Sequence, residues 1–287
     1  MKHSDSTGSK SIRAFGSIQK KILTLTLSCL VGMCVIISCV SYYIFRNYLQ
    51  HSLIQSTETS LQLLSDKINS NMNDIYQMGR FCYTSGDIAD YIANNPNPGS
   101  VLSVETYDRL SEEYNNNPSG SYMLRLAIIT DDHFLQIVNA SYSSTANLAE
   151  EVPKLPFFDE LLSDSDYNFS TGFINDPFSR KGKQVLPVLR PITYKYNSVQ
   201  GGFFFIEITS ELFTDAFKRY TIAEDSSVYL TLGEHRYIYG NGELSELPAS
   251  FSIQEDLSET ALIDGIRVNR IADESGAERI VVTAPLN

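Results

Sequence analysis

The chain has 287 residues, a formal charge of −12 and four cysteines. The first 21 residues are the basic part, where Lys2, Lys10, Arg13, Lys20 and Lys21 stand against one acid, Asp5, so that the tail carries +4 and the rest −16. A region that acidic excludes nucleic acid as a partner of residues 46–287, since the phosphate backbone rewards clustered Lys and Arg. The lone cysteine beyond the apolar run, Cys82, excludes an intrachain disulfide framework there.

The tail, residues 1–21, leads into Ile22–Phe45, a run without a charged residue. At about 1.5 Å per residue it reaches roughly 36 Å as a helix, enough for a hydrocarbon core of about 30 Å. Residues 22–45 are therefore expected to cross a membrane, with the basic tail cytoplasmic and residues 46–287 extracellular by the Lys/Arg bias. Tyr42, Tyr43 and Tyr48 fall where an outer aromatic belt would lie. A cleaved signal peptide, or a lipidated Cys39 in Ile36-Ile37-Ser38-Cys39, would use the same run differently; the aromatic residues after Cys39 and the long tail argue for the anchor.

A stalk follows, residues 46–95. Ile54, Leu61, Ile68, Ile75 and Cys82 recur every seven residues, with Leu64 and Met78 between them, which predicts a helix to about Arg80. Thr57 and Asn71 interrupt the intermediate positions, so the stripe suits a helix partly self-associated and partly packed on a domain. A small-residue pair, Ser28 and Gly32, could bring two spanning helices together. A homodimer through stalk and spanning helices is expected.

Asp87–Ala93 predicts a short helix ended by Asn94-Asn95-Pro96-Asn97-Pro98-Gly99, and Val104–Tyr114 another, closed by Asn115-Asn116-Asn117-Pro118-Ser119-Gly120. The period then changes to strand. Tyr122–Ile129 and Phe134–Val138 predict a hairpin across Asp131-Asp132, beside which His133 is a solvated turn residue. Leu155–Leu162 predicts a short amphipathic helix. Gln184–Pro191, Ile192–Tyr196 and Gly202–Thr209 read as strands, Glu211–Tyr220 as a helix. Val228–Leu232 with Arg236–Tyr239 forms a second hairpin, and Ile266–Ile271 pairs with Arg279–Val282 across Glu274-Ser275-Gly276. Long helix, sheet, helix, smaller sheet is an α+β order.

Motifs of catalysis are missing. There is no nucleotide-binding glycine loop, no His-Glu-x-x-His and no Gly-x-Ser-x-Gly. His3, His51, His133 and His235 are too dispersed for a metal site. No catalytic residue, metal or cofactor is expected.

The basic tail with Ser17-Ile18-Gln19-Lys20-Lys21-Ile22-Leu23, one spanning helix, a long stalk and two successive small sheets resembles the extracellular input region of double-Cache receptors. More narrowly, it is similar to the N-terminal part of YesM-like bacterial sensor histidine kinases. The likeness runs from Ser17 to Asn287, through Phe157-Phe158-Asp159-Glu160-Leu161-Leu162 and Gly202-Phe203-Phe204-Phe205-Ile206-Glu207-Ile208. It implies an N-terminal transmembrane helix, a stalk helix and two tandem PAS-like antiparallel modules. Residues 96–222 would be membrane-distal and ligand-holding, and residues 223–287 membrane-proximal. The closing Ile280–Leu286 is similar to the strand that feeds a second spanning helix in that family. The resemblance implies a small extracellular solute as ligand and a two-component kinase as output, whose phosphate-accepting His and ATP boxes are not in these residues.

Amino-acid-binding members carry an Arg two residues before Trp-Tyr. Here Leu155 stands at the Arg and Phe157-Phe158 at the aromatic pair, so amino-acid recognition is not carried over. Asp176 and Glu207 match the downstream acids approximately. Phe157, Phe158, Asp176, Glu207 and the two strand cations Arg125 and Arg190 are the candidate ligand-binding residues. For each, an ordinary place in the core or on a strand surface stays open. Other outputs, a chemotaxis helix, a cyclic-dinucleotide synthase or a DNA-binding regulator, and a free-standing surface-anchored solute-binding protein, also fit.

Overall fold

The apolar run and the seven-residue period after it lie in one helix, α1 (Gly8–Thr84), of a computed structural model that describes residues 8–139, 146–163, 169, 171–178, 182–193, 200–219, 227–249, 261–263, 266–272 and 278–286. Residues 1–57 and 58–287 are two compact units. In the first, side chains 22–45 are exposed throughout, Leu23 at 70% and Leu25 at 67%. Among the described residues α1 is the one helix long and apolar enough to cross a membrane.

In the second unit α1 buries Leu64, Ile68, Met72, Ile75, Met78 and Cys82. Five of them belong to the predicted stripe and Met72 adds to it, while Ile54 and Leu61 at its start are only partly buried; the spacing turns one helical face inward. The helix passes Gly79 without breaking and stops at Ser85, whose extended backbone (φ −71°, ψ 125°) starts α2 (Gly86–Asn94). Asn95 ends α2 in the left-handed region (φ 40°), which Asn tolerates better than most residues. In α3 (Val101–Asn116), the Ser100 hydroxyl accepts the Ser103 N–H at 3.3 Å, satisfying one of the orphan donors of the first turn. Both breakers foreseen in the sequence end helices.

The first sheet has five antiparallel strands: β1 (Met123–Ile129), β2 (Phe134–Val138), β3 (Ile174–Asn175), β4 (Gln184–Thr193) and β5 (Gln200–Thr209), in the order β2-β1-β5-β4-β3. The segment expected as two strands is the single strand β4. Its foreseen extension to Tyr196 lies outside the described residues. Pro187 and Pro191 sit in β4 beyond the two residues that β3 pairs, where a missing N–H costs the ladder least.

Both faces of this sheet are covered, which is why its strands are apolar runs and not alternating ones. Leu126, Ile128, Leu186, Val188, Phe204, Ile206 and Ile208 share one cluster with the buried residues of α1, α2 and α3. Ala127, Ile129, Leu189 and Phe205 on the other face meet Leu148 of α4 (Leu148–Glu151), Val152 in the turn after it, and Leu161 of α5 (Phe158–Ser163). One face thus lies under long helices and the other under short pieces.

After β5, the amphipathic helix α6 (Glu211–Arg219) buries Leu212, Phe213, Ala216 and Phe217. A second sheet, β6 (Val228–Leu232), β7 (His235–Gly240) and β8 (Glu243–Glu246), adds Leu230, Leu232, Tyr237 and Leu244 to the helix-side core. The third strand β8 follows Asn241-Gly242, both at positive φ (53° and 87°), the two-residue turn that suits a twisted hairpin. A third sheet, β9 (Ala261–Ile263), β10 (Ile266–Ala272) and β11 (Glu278–Thr283), has the order β11-β10-β9. Its β10–β11 pairing is the one expected, while the turn at 274–276 lies outside the described residues. The molecule is α+β with antiparallel sheets.

Candidate functional site

Strand β1 loses its even register between Met123 and Arg125, where the β5 partners step from Ile208 to Glu207. Such an irregularity re-aims a side chain. Beyond it Arg125 lies directly across from Glu207, on the face covered by α4 and α5. Both are buried, Arg125 at 1% and Glu207 at 0% exposure. Arg125 Nε donates to Glu207 Oε2 at 2.9 Å, and Arg125 Nη2 lies 3.6 Å from Asp176 Oδ1.

Asp176 arrives from the far edge of the sheet. Its N–H donates to the Lys183 carbonyl at 2.8 Å just after β3, and its Oδ1 accepts the Phe178 N–H at 2.8 Å. That tight turn lays the Phe178 ring under the guanidinium, 4.8 Å from carbon Cζ to ring centroid, within cation–π range. Phe178 in turn meets Phe205 edge to face at 6.0 Å.

Polar satisfaction is incomplete. Arg125 Nη1, Glu207 Oε1 and Asp176 Oδ2 are buried with no hydrogen-bond partner among the described residues. Two carboxylates face one cation, and burial raises the Glu207 carboxyl to about 7. The 2.9 Å contact with Arg125 favours the ionised form, but removal from water outweighs it, and Asp176 adds like-charge repulsion. Near neutral pH the cluster therefore exchanges a proton at Glu207. With Glu207 ionised the cluster offers one unfilled donor and two unfilled acceptor atoms inside an apolar wall; with Glu207 protonated, its carboxyl hydrogen-bonds Asp176.

Of the six candidate residues, the fold brings Arg125, Asp176 and Glu207 into contact. Phe157 and Phe158 are half-buried in the apolar cluster of the same face, Phe158 edge to face with Phe203 at 5.4 Å. Arg190 pairs with Phe204 in the β4–β5 register, which puts it on the helix-covered face, away from the cluster. Strand position alone left Arg125 and Glu207 open to a surface place; they are interior. Phe178 was not foreseen. Its role depends on a turn that brings residue 178 back beneath residue 125, and no local pattern signals that.

His235 Nδ1 lies 2.8 Å from Glu246 Oε1 on the second sheet, partly exposed. Among the described residues no group of three His, Cys, Asp or Glu could hold a metal ion.

No protein-family model and no curated protein matches the chain. Among solved structures it is similar to an extracellular domain assigned to a histidine kinase, vpHK1S-Z8, at 10% identity and a TM-score of 0.38, over 66% of this chain and 85% of that one. It is also similar to a domain of a sensory box/GGDEF family protein from Vibrio parahaemolyticus, at 11% identity and a TM-score of 0.37, over 66% of this chain and 89% of that one. The site itself rests on this chain's own geometry.

Proposed function

We propose that this chain is the solute-sensing input region of a membrane-bound receptor, with its N-terminus cytoplasmic, residues 46–287 outside, and a two-component histidine kinase as its output. The observation that carries the sensing part is the Arg125–Glu207–Asp176 cluster. Charges removed from water are costly unless every lone pair and proton is matched. This cluster leaves Arg125 Nη1 unmatched, and Glu207 Oε1 and Asp176 Oδ2 as well when Glu207 is ionised. A small solute presenting an acceptor to Nη1 and a donor to a carboxylate oxygen would complete it. The elements over this face are short, and short elements open at low cost.

The opposite face of the same sheet is packed against α1, the helix that also contains the apolar run. A solute that binds one packing of the sheet better than another shifts the balance between them by its differential affinity. A stalk helix packed on the sheet would carry that shift, and a homodimer would read it out.

The test is calorimetry of the full chain in lipid nanodiscs against amino acids, amines, carboxylates and sugars. A solute at 100 times its Kd stabilises by about 2.7 kcal/mol. The expected result is a rise in melting temperature that disappears in both Arg125→Lys and Glu207→Gln. A stabilising solute whose effect survives both substitutions places the binding site elsewhere.

A further inference from the structure

We propose that the segment Thr171–Phe178 is a coupling strap, which holds the buried ionic cluster of the first sheet and the second sheet in one cooperative arrangement. Its two ends make unlike contacts. At the C-terminal end, Asp176 and Phe178 flank the Arg125 guanidinium, as a carboxylate 3.6 Å from Nη2 and a ring 4.8 Å from Cζ. At the other end, the Phe173 N–H donates to the Tyr237 hydroxyl of β7 at 2.8 Å, and the Phe173 ring lies edge to face with Tyr237 at 5.1 Å and with Phe213 of α6 at 5.7 Å.

Gly172 makes this docking possible. Its φ is +58°, and a Cβ there would collide with the Tyr237 hydroxyl and the His235 ring. A side chain at 172 would thus be opposed both by backbone conformation and by space. Phe173 and Asp176 are three residues apart, about 10 Å of extended chain. Between them stands only β3, whose two residues pair with Val185 and Gln184. A strand that short has few ladder bonds to resist displacement, so its position follows the contacts at its ends. When Asp176 leaves Arg125, the strap shifts and the Phe173–Tyr237 contact loosens; when Tyr237 releases Phe173, Asp176 loses its hold on Arg125. Coupling between two sites is reciprocal by thermodynamic necessity.

This inference goes beyond the sensing proposal and its test uses no solute, so the two fail separately. The experiment is residue-resolved amide hydrogen exchange on the full chain in nanodiscs. In Asp176→Asn, the Phe173 amide should exchange about tenfold faster, in the usual range of coupling between sites, while the Leu126 amide in β1 keeps its rate. In Tyr237→Phe, the Phe178 amide, which donates to Asp176 Oδ1, should accelerate likewise. Phe178→Leu keeps every charge and should loosen Phe173 in the same direction, which serves if Asp176→Asn does not fold. An unchanged Phe173 rate in the cluster variants, an unchanged Phe178 rate in Tyr237→Phe, or a Leu126 rate that rises in parallel overturns the strap.

Discussion

Glu207 lies 2.9 Å from a guanidinium nitrogen and still keeps its proton well above the ordinary carboxylate range, at about 7, because burial costs the charged form more than Arg125 returns. A carboxyl whose folded pKa is raised binds its proton more tightly in the native state than in the unfolded chain. Its contribution to stability is full below the ordinary carboxyl value of 4.5 and is lost as pH rises through about 7. Urea unfolding of the wild type and of Glu207→Gln at intervals between pH 4.5 and 7.5 should show the wild type losing ground against the variant across that window. A difference that stays flat with pH would mean that Glu207 is ionised throughout. The residue types were legible in the sequence, since Arg125, Asp176 and Glu207 could all be named as candidates. That Arg125 and Glu207 are cross-strand neighbours, and that Arg190 points to the other face, follows from a register no local pattern specifies.

The stalk helix shows the same division at the scale of an element. Its seven-residue stripe marked a helix and its buried face correctly, and Ile68, Ile75 and Cys82 are each 1–2% exposed. The stripe could not say what covers it. From Leu64 onward the partner is the sheet of the same chain. Asn71, which looked like a flaw in a coiled coil, is buried at 3% beside the turn after α3, where its Oδ1 lies 3.4 Å from the Ser119 hydroxyl. That hydroxyl also donates to Asp74 Oδ2 at 2.9 Å, so a polar contact fixes the helix against the start of β1. Ile68→Ala should cost about 2–5 kcal/mol of unfolding free energy, the usual price of a core cavity. Leu53→Ala, on an exposed position of the same helix (58%), should stay within about 0.5 kcal/mol. Equal effects in urea titrations of the two variants would refute the assignment of the packed face.

For the whole molecule, the cysteines allow a direct test of placement. Burial pushes the Cys82 thiol up to about 12, leaving almost no thiolate at neutral pH. Cys29, Cys34 and Cys39 lie in the apolar run. In sealed vesicles the native chain should stay with the membrane after alkaline extraction and take up little polar maleimide until denatured. Ser52→Cys should then label from outside, and Ser9→Cys only after the vesicles are opened; the reverse pattern would invert the proposed orientation. The sequence by itself determined the long apolar helix, the α+β class, the breaker stretches at 94–99 and 115–120, and the packed face of the helix after the apolar run, because each depends on periodicity or on the backbone preferences of a few adjacent residues. The tertiary structure alone decided that β4 is one strand, that β8 and β9 add third strands, and that Asp176 and Phe178 close on Arg125. The closure on Arg125 depends on contacts between residues about 50 positions apart, where the energy of burial and pairing outweighs any local preference.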